Sequence, residues 1–544
     1  MNSIYDIAFA FLAASAGVFA AFRPIHMLQL ESYQGKMYFK WLLRYGTKTA
    51  VEYILAGSMG ILLHLAWALF YYSSPFISSV LLYAADAAYL AALIYIGLKN
   101  QKAKAKKPLV FTSRVKRLCI ALFLLSFIVH LKLSFPNMIS SWVGILFTGF
   151  LRYLPGLLSP IFVLLAHVIM LPLENSTKQW YYKDAKRKLA NHKGLIKVGI
   201  TGSYGKTSTK FILQAILQEN FNTLATPSSF NTPMGITRVI REDLKPEHEA
   251  FIAEMGARYK GDILELCKLV QPEYAIITSV GKQHLETFGS YEAVIATKTE
   301  LLDSLPAEGA AFINGDNPDC RKMFEACAIK NKFMFGIDTD GLYIKATDIK
   351  VGKDGSSFAL VDTQSGESAN CSTVLLGRHN ILNILAAASL ARYLKFSMEQ
   401  IAGRIRELKP IEHRLELIKG AVTVIDDAFN ANPEGTKAAL EILKEFAPSR
   451  RIIITPGMVE LGAEEEALHR EFGRNIAAAA DFAVLVGLAR VEPIRAGLLE
   501  AGFPAEHIVQ VASLKEATEL LPVLAPAGSV VLFENDLPDN YENA

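Results

Sequence analysis

Five cysteines (Cys119, Cys267, Cys320, Cys327 and Cys371) are an odd number without CxxC spacing. That excludes a disulfide framework and a zinc site, and suits a reducing cytosol for whatever lies outside lipid. Charge of one sign is lacking too: 56 Lys and Arg against 53 Asp and Glu leave +3, no global field of the kind nucleic acid calls for. Charged residues make up only 20% and hydrophobic ones 51%, with a mean hydropathy of +0.25. The chain is therefore too apolar for disorder and unusually apolar for a wholly soluble protein, so part of it is expected in lipid. No internal repeat or low-complexity tract is present, and 544 residues exceed one hydrophobic core, which predicts two to four domains.

Apolar residues crowd the first third. Segments 4–22, 51–71, 78–98 and 118–135 each approach the roughly 20 apolar residues that cross a bilayer. Segment 139–173 is apolar too but is interrupted by Arg152 and Pro155, which predicts one more crossing plus an interfacial or re-entrant piece, five or six in all. The first segment lacks a basic start and is followed by further spans, so it reads as a retained helix rather than a signal peptide. Arg23, Lys36, Lys40, Arg44 and Lys48 follow the first span; Lys99, Lys102, Lys104, Lys106, Lys107, Arg114, Lys116 and Arg117 follow the third. Basic loops face the cytoplasm, so five crossings from an outside N-terminus deliver Lys178, Lys183, Lys186, Arg187, Lys188 and all that follows to that side. The expected location is the cell membrane, with the catalytic domains cytoplasmic. His64, Asp86, His130 and His167 fall inside the segments. Ionisable groups there are costly and are functional candidates, against the plainer reading of interhelical hydrogen bonding.

From about residue 196 the pattern changes. Short β-branched runs at 196–201, 250–255, 274–280, 310–314, 451–455, 482–486 and 529–533 alternate with amphipathic stretches, which implies parallel α/β sheets. A division near Lys409–Pro410 gives the expected organisation. An α-helical transmembrane region occupies 1–175, a central α/β domain 190–408 and a C-terminal Rossmann-like α/β domain 409–544.

The chemistry begins at Thr201-Gly202-Ser203-Tyr204-Gly205-Lys206-Thr207, after a strand and ahead of a helix opening at Ser208. Glycines let backbone N–H groups turn toward phosphate oxygens, and the helix N-terminus adds positive potential. Lys206 neutralises β/γ charge, and the Thr207 hydroxyl can ligate Mg²⁺. The loop departs from GxxxxGK[ST], whose first glycine would stand at Ile200.

This shortened P-loop resembles that of the Mur ligases, and further motifs follow in the family's order. Glu254, in Glu254-Met255-Gly256-Ala257, ends a strand where a carboxylate can reach Mg²⁺; alone it would read equally as a surface glutamate. The resemblance makes His284, in the loop 281–290, a second metal ligand rather than a plain loop histidine. Lys298 aligns with a lysine that the family carbamylates, which turns a cation into an anionic oxygen donor, though by itself it is an ordinary helix lysine. His379, Asn380 and Asn383 match the family's adenine-contacting motif, against a plain helix-capping reading. Asn231-Thr232-Pro233-Met234-Gly235 resembles a loop near the acyl substrate, while Asn314-Gly315-Asp316-Asn317-Pro318 is sufficiently explained as a turn. Arg414, then Asp426-Asp427-Ala428-Phe429-Asn430-Ala431-Asn432-Pro433, then 456–462 and His469 look most like the branch that adds D-alanyl-D-alanine to a muramoyl tripeptide, the MurF type.

The resemblance covers about 194–535 and implies an ATP-dependent, ADP-forming acid–amino-acid ligase of cell-wall (peptidoglycan) biogenesis. Lys206, Lys298, His284 and Arg414 would be catalytic. Gly202, Ser203, Gly205, Lys206, Thr207, Ser208, His379, Asn380, Asn383, Asp427, Asn430 and Asn432 would hold ATP. Thr207, Glu254, His284 and Lys298 would hold Mg²⁺. Two departures stand out: helices replace the family's uridine-nucleotide domain, and Glu534-Asn535-Asp536 replaces an expected Lys-Gly-Ser-type turn. The partners implied are ATP, an amino acid or short peptide, the membrane and a carboxylate acceptor presented at the bilayer, for example polyprenyl-linked. A polyglutamate-type ligase, an ATP-driven transporter and a membrane scaffold with a relic nucleotide site are the alternatives.

Overall fold

The computed structural model describes residues 3–70, 73–102, 108–134, 151–228, 230–429, 431–487 and 490–535. Two units divide the chain, Met1–Gln179 and Trp180–Leu537.

The first unit is helical: α1 (Ser3–Ala20), α2 (Phe22–Leu30), α3 (Gly35–Phe70), α4 (Pro75–Lys102), α5 (Ser113–Ser134) and the start of α6 (Ser159–Asn191). Three helices are long and apolar enough to cross a bilayer, within α3 (Val51–Phe70), within α4 (Phe76–Gln101) and α6; α1 and α2, bent by 44°, would make a fourth. Large apolar side chains such as Leu62, Leu69 and Phe76 point outward. The expected five or six crossings therefore reduce to three or four among the described residues. Residues 118–134 of the fourth segment lie in α5, whose Arg114, Lys116 and Arg117 shorten its apolar stretch. The predicted crossing at 139–173 lies outside the described residues before position 151.

Asp86 is the hub of this unit. Its carboxylate accepts from Arg152 Nε (3.1 Å) and Nη2 (2.8 Å), Tyr153 (2.9 Å) and Tyr5 (2.7 Å), while Asp6 meets Arg152 at 3.4 Å. A buried charge is tolerated when its lone pairs are filled, so Asp86 clasps helices together. His130 Nδ1 bonds the Ser126 carbonyl oxygen at 2.7 Å, and His64 lies against the Trp67 ring.

The second unit holds two sheets. The first joins β1 (Ile196–Thr201), β2 (Thr223–Ala225), β3 (Ala250–Glu254), β4 (Tyr274–Ile277), β5 (Ala310–Asn314), β6 (Asn331–Gly336), β7 (Ile344–Gly352), β8 (Gly355–Asp362) and β9 (Ser368–Thr373), in the order β2-β3-β1-β4-β5-β6-β7-β8-β9. Its central strands are parallel and apolar on both faces. Val198, Ile200, Ile252, Ile276 and Phe312 enter one core, and their neighbours Phe251, Ala253, Ile277 and Ile313 enter the other. To the expected parallel strands the sheet adds β7–β9, whose pairings with one another are antiparallel. Their alternating burial leaves one face solvated, so they carry no long apolar run.

The second sheet, β10 (Glu416–Ile418), β11 (Thr423–Asp427), β12 (Arg451–Thr455), β13 (Phe482–Val486), β14 (Ile508–Val511) and β15 (Val530–Glu534), is ordered β10-β11-β15-β12-β13-β14. Only β10 is antiparallel among them. In parallel α/β sheets ligands gather at the carboxyl ends of strands. Thr201, Glu254, Asp427 and Glu534 stand at such ends.

Candidate active site

Between β1 and the helix Lys206–Leu217 the backbone turns through Gly202 to Gly205. At Gly205 φ is +79°, a value L side chains resist. A Cβ there would also stand 2.3 Å from Asn383 Oδ1, and one at Gly202 would stand 1.9 Å from Thr278 Oγ1. Ser203 Oγ donates to the Gly281 carbonyl oxygen (2.9 Å) and accepts from Gly281 N–H (2.8 Å), tying the loop to the segment that carries His284. Ser208 lies in the first turn of the helix. The Lys206 ammonium curls back onto the carbonyl oxygens of Gly202 (2.6 Å) and Ser203 (3.3 Å). Burial pulls it down to about 8, with Glu254 opposing and Arg414 adding.

Beside the loop, Glu254 at the end of β3 is only 1% exposed. Thr207 Oγ1 donates to it at 3.0 Å, Lys210 Nζ at 3.0 Å and Asn231 Nδ2 at 3.1 Å. Burial alone would raise its carboxyl, but Lys210 and Lys206 hold it ionised below the usual range. Thr207 and Glu254 thus form a pair of hard oxygen donors facing a phosphate loop, the donor set that suits Mg²⁺ shared with phosphates. Lys210 was not singled out by sequence. Its signal is position, one helical turn after Lys206 on the same face.

The other two expected metal ligands are His284 and Lys298, and the charge of Lys206 acts on both. The His284 ring bonds Glu460 of the C-terminal part, and both residues sit at positive φ, +54° and +63°. Burial depresses the ring's basicity while Glu460 opposes. Arg258 reaches the same carboxylate at 3.3 Å and Lys282 meets Glu464 at 2.5 Å, so Arg258, Lys282 and His284 on one side meet Glu460 and Glu464 on the other and join the two sheets' domains here. Among the described residues no three His, Cys, Asp or Glu converge on a metal position. His284, expected with Lys298 at a second Mg²⁺, faces Glu460 and senses the charge of Lys206. Lys298, 5% exposed in the helix Tyr291–Asp303, is held well below its ordinary value by burial and by the nearby Lys206. An ammonium is disfavoured there.

The expected adenine motif braces the loop. Asn380 Nδ2 donates to the Leu376 carbonyl oxygen (2.9 Å), Asn383 Nδ2 to Asn380 Oδ1 (3.3 Å), and Thr209 Oγ1 to Asn383 Oδ1 (3.2 Å). Burial pushes His379 down to about 4. Asn432 caps the helix Pro433–Lys444 by accepting from Gly435 N–H at 3.0 Å. These are the plain capping and bracing roles of such residues. Asn430 lies outside the described residues. Arg414, just ahead of β10, stacks over the Phe429 ring at 4.2 Å, and its charge acts on both Asp427 and Glu254 beside the phosphate loop. Asp316 accepts from the N–H groups of Ile337, Asp338 and Thr339, which makes 314–318 the turn its composition suggested.

Residues 200–391 match the family described as Mur ligase middle domain, and 413–534 the one described as Mur ligase, glutamate ligase domain. The UDP-N-acetylmuramoyl-tripeptide–D-alanyl-D-alanine ligase of Escherichia coli is 35% identical over 284 residues, 52% of this chain and 62% of that protein. The chain thus spans about three fifths of that relative's length. The ligase of the same name from Mycobacterium leprae is 30% identical over 370 residues, 63% of this chain and 71% of its own length. Among solved structures, MurF from Acinetobacter baumannii is similar with a TM-score of 0.60 at 26% identity, covering 68% of this chain and 79% of that one. MurF ligase from Thermotoga maritima in complex with ADP gives 0.59 at 26%, covering 67% and 82%. With the phosphate loop, its acidic partner and the arginine ahead of the second sheet in the expected order, the chain belongs to the Mur ligase family and resembles its MurF members.

Proposed function

We propose that the chain is a membrane-held, ATP-dependent ligase that joins an amine to a cell-envelope carboxylate through an acyl phosphate. The observation that carries this is the cluster Lys206, Thr207, Glu254 and Lys210 beside the glycine loop, with Arg414, just ahead of β10, acting on Glu254. A carboxylate is a poor electrophile because oxide would have to leave. Phosphoryl transfer from ATP gives an acyl phosphate and ADP; amine attack then gives the amide and phosphate. Loop N–H groups and Lys206 would hold the triphosphate, and Arg414 would add charge where the transferring group develops it. Mg²⁺, when bound, would supply Lewis-acid neutralisation of the phosphates, held by Thr207 and Glu254. Lys298, whose burial favours the free amine that adds carbon dioxide, would serve as a carbamate. Contacts such as Lys282–Glu464 would keep the two domains closed and water out.

Apolar helices stand where the family keeps its uridine-nucleotide domain. The acceptor is accordingly a lipid-linked, polyprenyl-type carboxylate. The test uses the purified full chain with Mg²⁺, bicarbonate, ATP, candidate amines and either lipid-linked or nucleotide-linked muramoyl peptides. ADP release coupled to a new C–N bond, abolished by Lys206→Ala, supports the ligase reading, and its absence with every acceptor overturns it. Better turnover on a nucleotide-linked acceptor than on its lipid-linked counterpart overturns the lipid reading alone.

A further inference from the structure

At the carboxyl edge of the second sheet, Asp427 ends β11 and Glu534 ends β15, and the two are direct partners in the parallel register. Partnered residues on neighbouring strands point to the same face. Here that face is the one on which Ile425 and Leu532 enter the larger core of this domain. Glu534 is 0% exposed, and neither of its carboxylate oxygens has a hydrogen-bond partner among the described residues. Its neighbourhood is built rather than slack. Asn535, in a glycine-like conformation at φ +73°, donates its N–H to the Asp427 carbonyl oxygen (3.2 Å) and its side-chain amide to the Gly457 carbonyl oxygen (2.6 Å). The adjacent Asp426, on the opposite face, has its partners: His413 at 2.7 Å and the Ala428 N–H at 3.1 Å.

Burial disfavours the ionised form, and it raises both Glu534 and Asp427 above the ordinary carboxylate range, outweighing the Arg414 charge and the Leu415 N–H that favour ionised Asp427, while Asp427 adds to the shift of Glu534. A cation with several N–H donors relieves both acids at once. A carboxylate in the same place is repelled by both. We propose that Glu534 and Asp427, the latter in place of the ATP contact that the resemblance implies, form a subsite for the distal ammonium of a dibasic amine, so that the nucleophile this chain accepts is a diamine or a diamino acid. The inference rests on the ligase reading above and names the class of its amine. The charge of Arg414 acts on both Asp427 and Glu254, so the subsite and the phosphate loop lie within reach of one guanidinium, and one amino group can meet the acyl phosphate while the other is held.

The test is calorimetric titration of the full chain in detergent with Mg²⁺ and a non-hydrolysable ATP analogue, using L-lysine, 1,5-diaminopentane, L-norleucine and D-alanyl-D-alanine as probes. Lysine and diaminopentane are expected to bind at least about tenfold tighter than norleucine and the dipeptide, and Glu534→Gln to erase that preference. Lysine binding no tighter than norleucine, an unchanged preference in Glu534→Gln, or tighter binding of D-alanyl-D-alanine each overturns the inference, the pair then sharing a proton only. The ATP analogue is titrated first on both proteins. Its binding by Glu534→Gln shows that the variant is folded. Failure of the wild-type chain to bind it overturns the ligase reading instead.

Discussion

Replacing Lys210 by methionine tests whether the phosphate-loop acid is held by a true ion pair. The ammonium is 0% exposed and lies 3.0 Å from Glu254 Oε2 and 2.5 Å from the Ser228 carbonyl oxygen. Methionine fills much of the volume but leaves a buried carboxylate with Thr207 and Asn231 as its side-chain hydrogen-bond donors and only the more distant charge of Lys206 in place of the ion pair. Breaking a buried pair from one side costs about 3–5 kcal/mol, because the remaining charge is uncompensated, whereas removing both partners is often near neutral. For a domain of this size class that is a fall of at least about 6 °C in melting temperature. Lys210→Met is measured against Lys210→Met/Glu254→Gln by thermal melting of the full chain in detergent. The double variant is expected to recover more than half of the loss. A double variant melting no higher than the single one would refute the argument, since the cost would then come from lost packing around the lysine stem.

Lys298→Ala should lower ADP release by at least about tenfold, with partial recovery on adding acetate or propionate; full activity of this variant in bicarbonate-free buffer would remove the carbamate. His469 is fully buried and its Nε2 accepts from Met458 N–H at 2.9 Å, and burial pushes it from 6.5 to about 4. The unfolded chain binds that proton first, so the neutral ring's contribution is complete above about pH 6.5 and is lost as pH falls toward 4, by at most about 3 kcal/mol. His469→Gln, whose carbonyl can still accept from Met458, should flatten the acid limb of the melting profile, and an unchanged limb would place the proton uptake elsewhere. Asp86→Ala strands Arg152 with Asp6 alone and should lower the yield and melting temperature of the full chain, with Arg152→Leu alongside recovering part. A selective loss of Mg·nucleotide affinity instead would show that the clasp is not merely structural.

The glycine loop, Glu254 and the parallel central strands were legible because local chemistry dictates them: a loop that must admit phosphate needs Gly205, and a strand buried on both faces reads as a continuous apolar run. The antiparallel strands β7–β9 were not. A half-solvated strand alternates, and its alternation is easily lost among polar residues. Asn380, Asn383 and Asn432 carry both readings, since amides that can meet a base edge also cap helices and brace the loop beneath Gly205.

Sequence alone determined where the apolar third ends, that a triphosphate loop follows it, and the order of the Mur-type motifs, because each depends on neighbours along the chain. Only the tertiary structure decided that Lys210 belongs to Glu254, that His284 faces Glu460, that Asp86 is clasped by Arg152 and two tyrosines, and that Glu534 is buried beside Asp427. Those residues lie far apart in the chain, Lys210 and Glu254 excepted by only one strand and helix. What pairs them is the parallel register and packing of elements, which bring distant charges into contact and set whether each finds a partner.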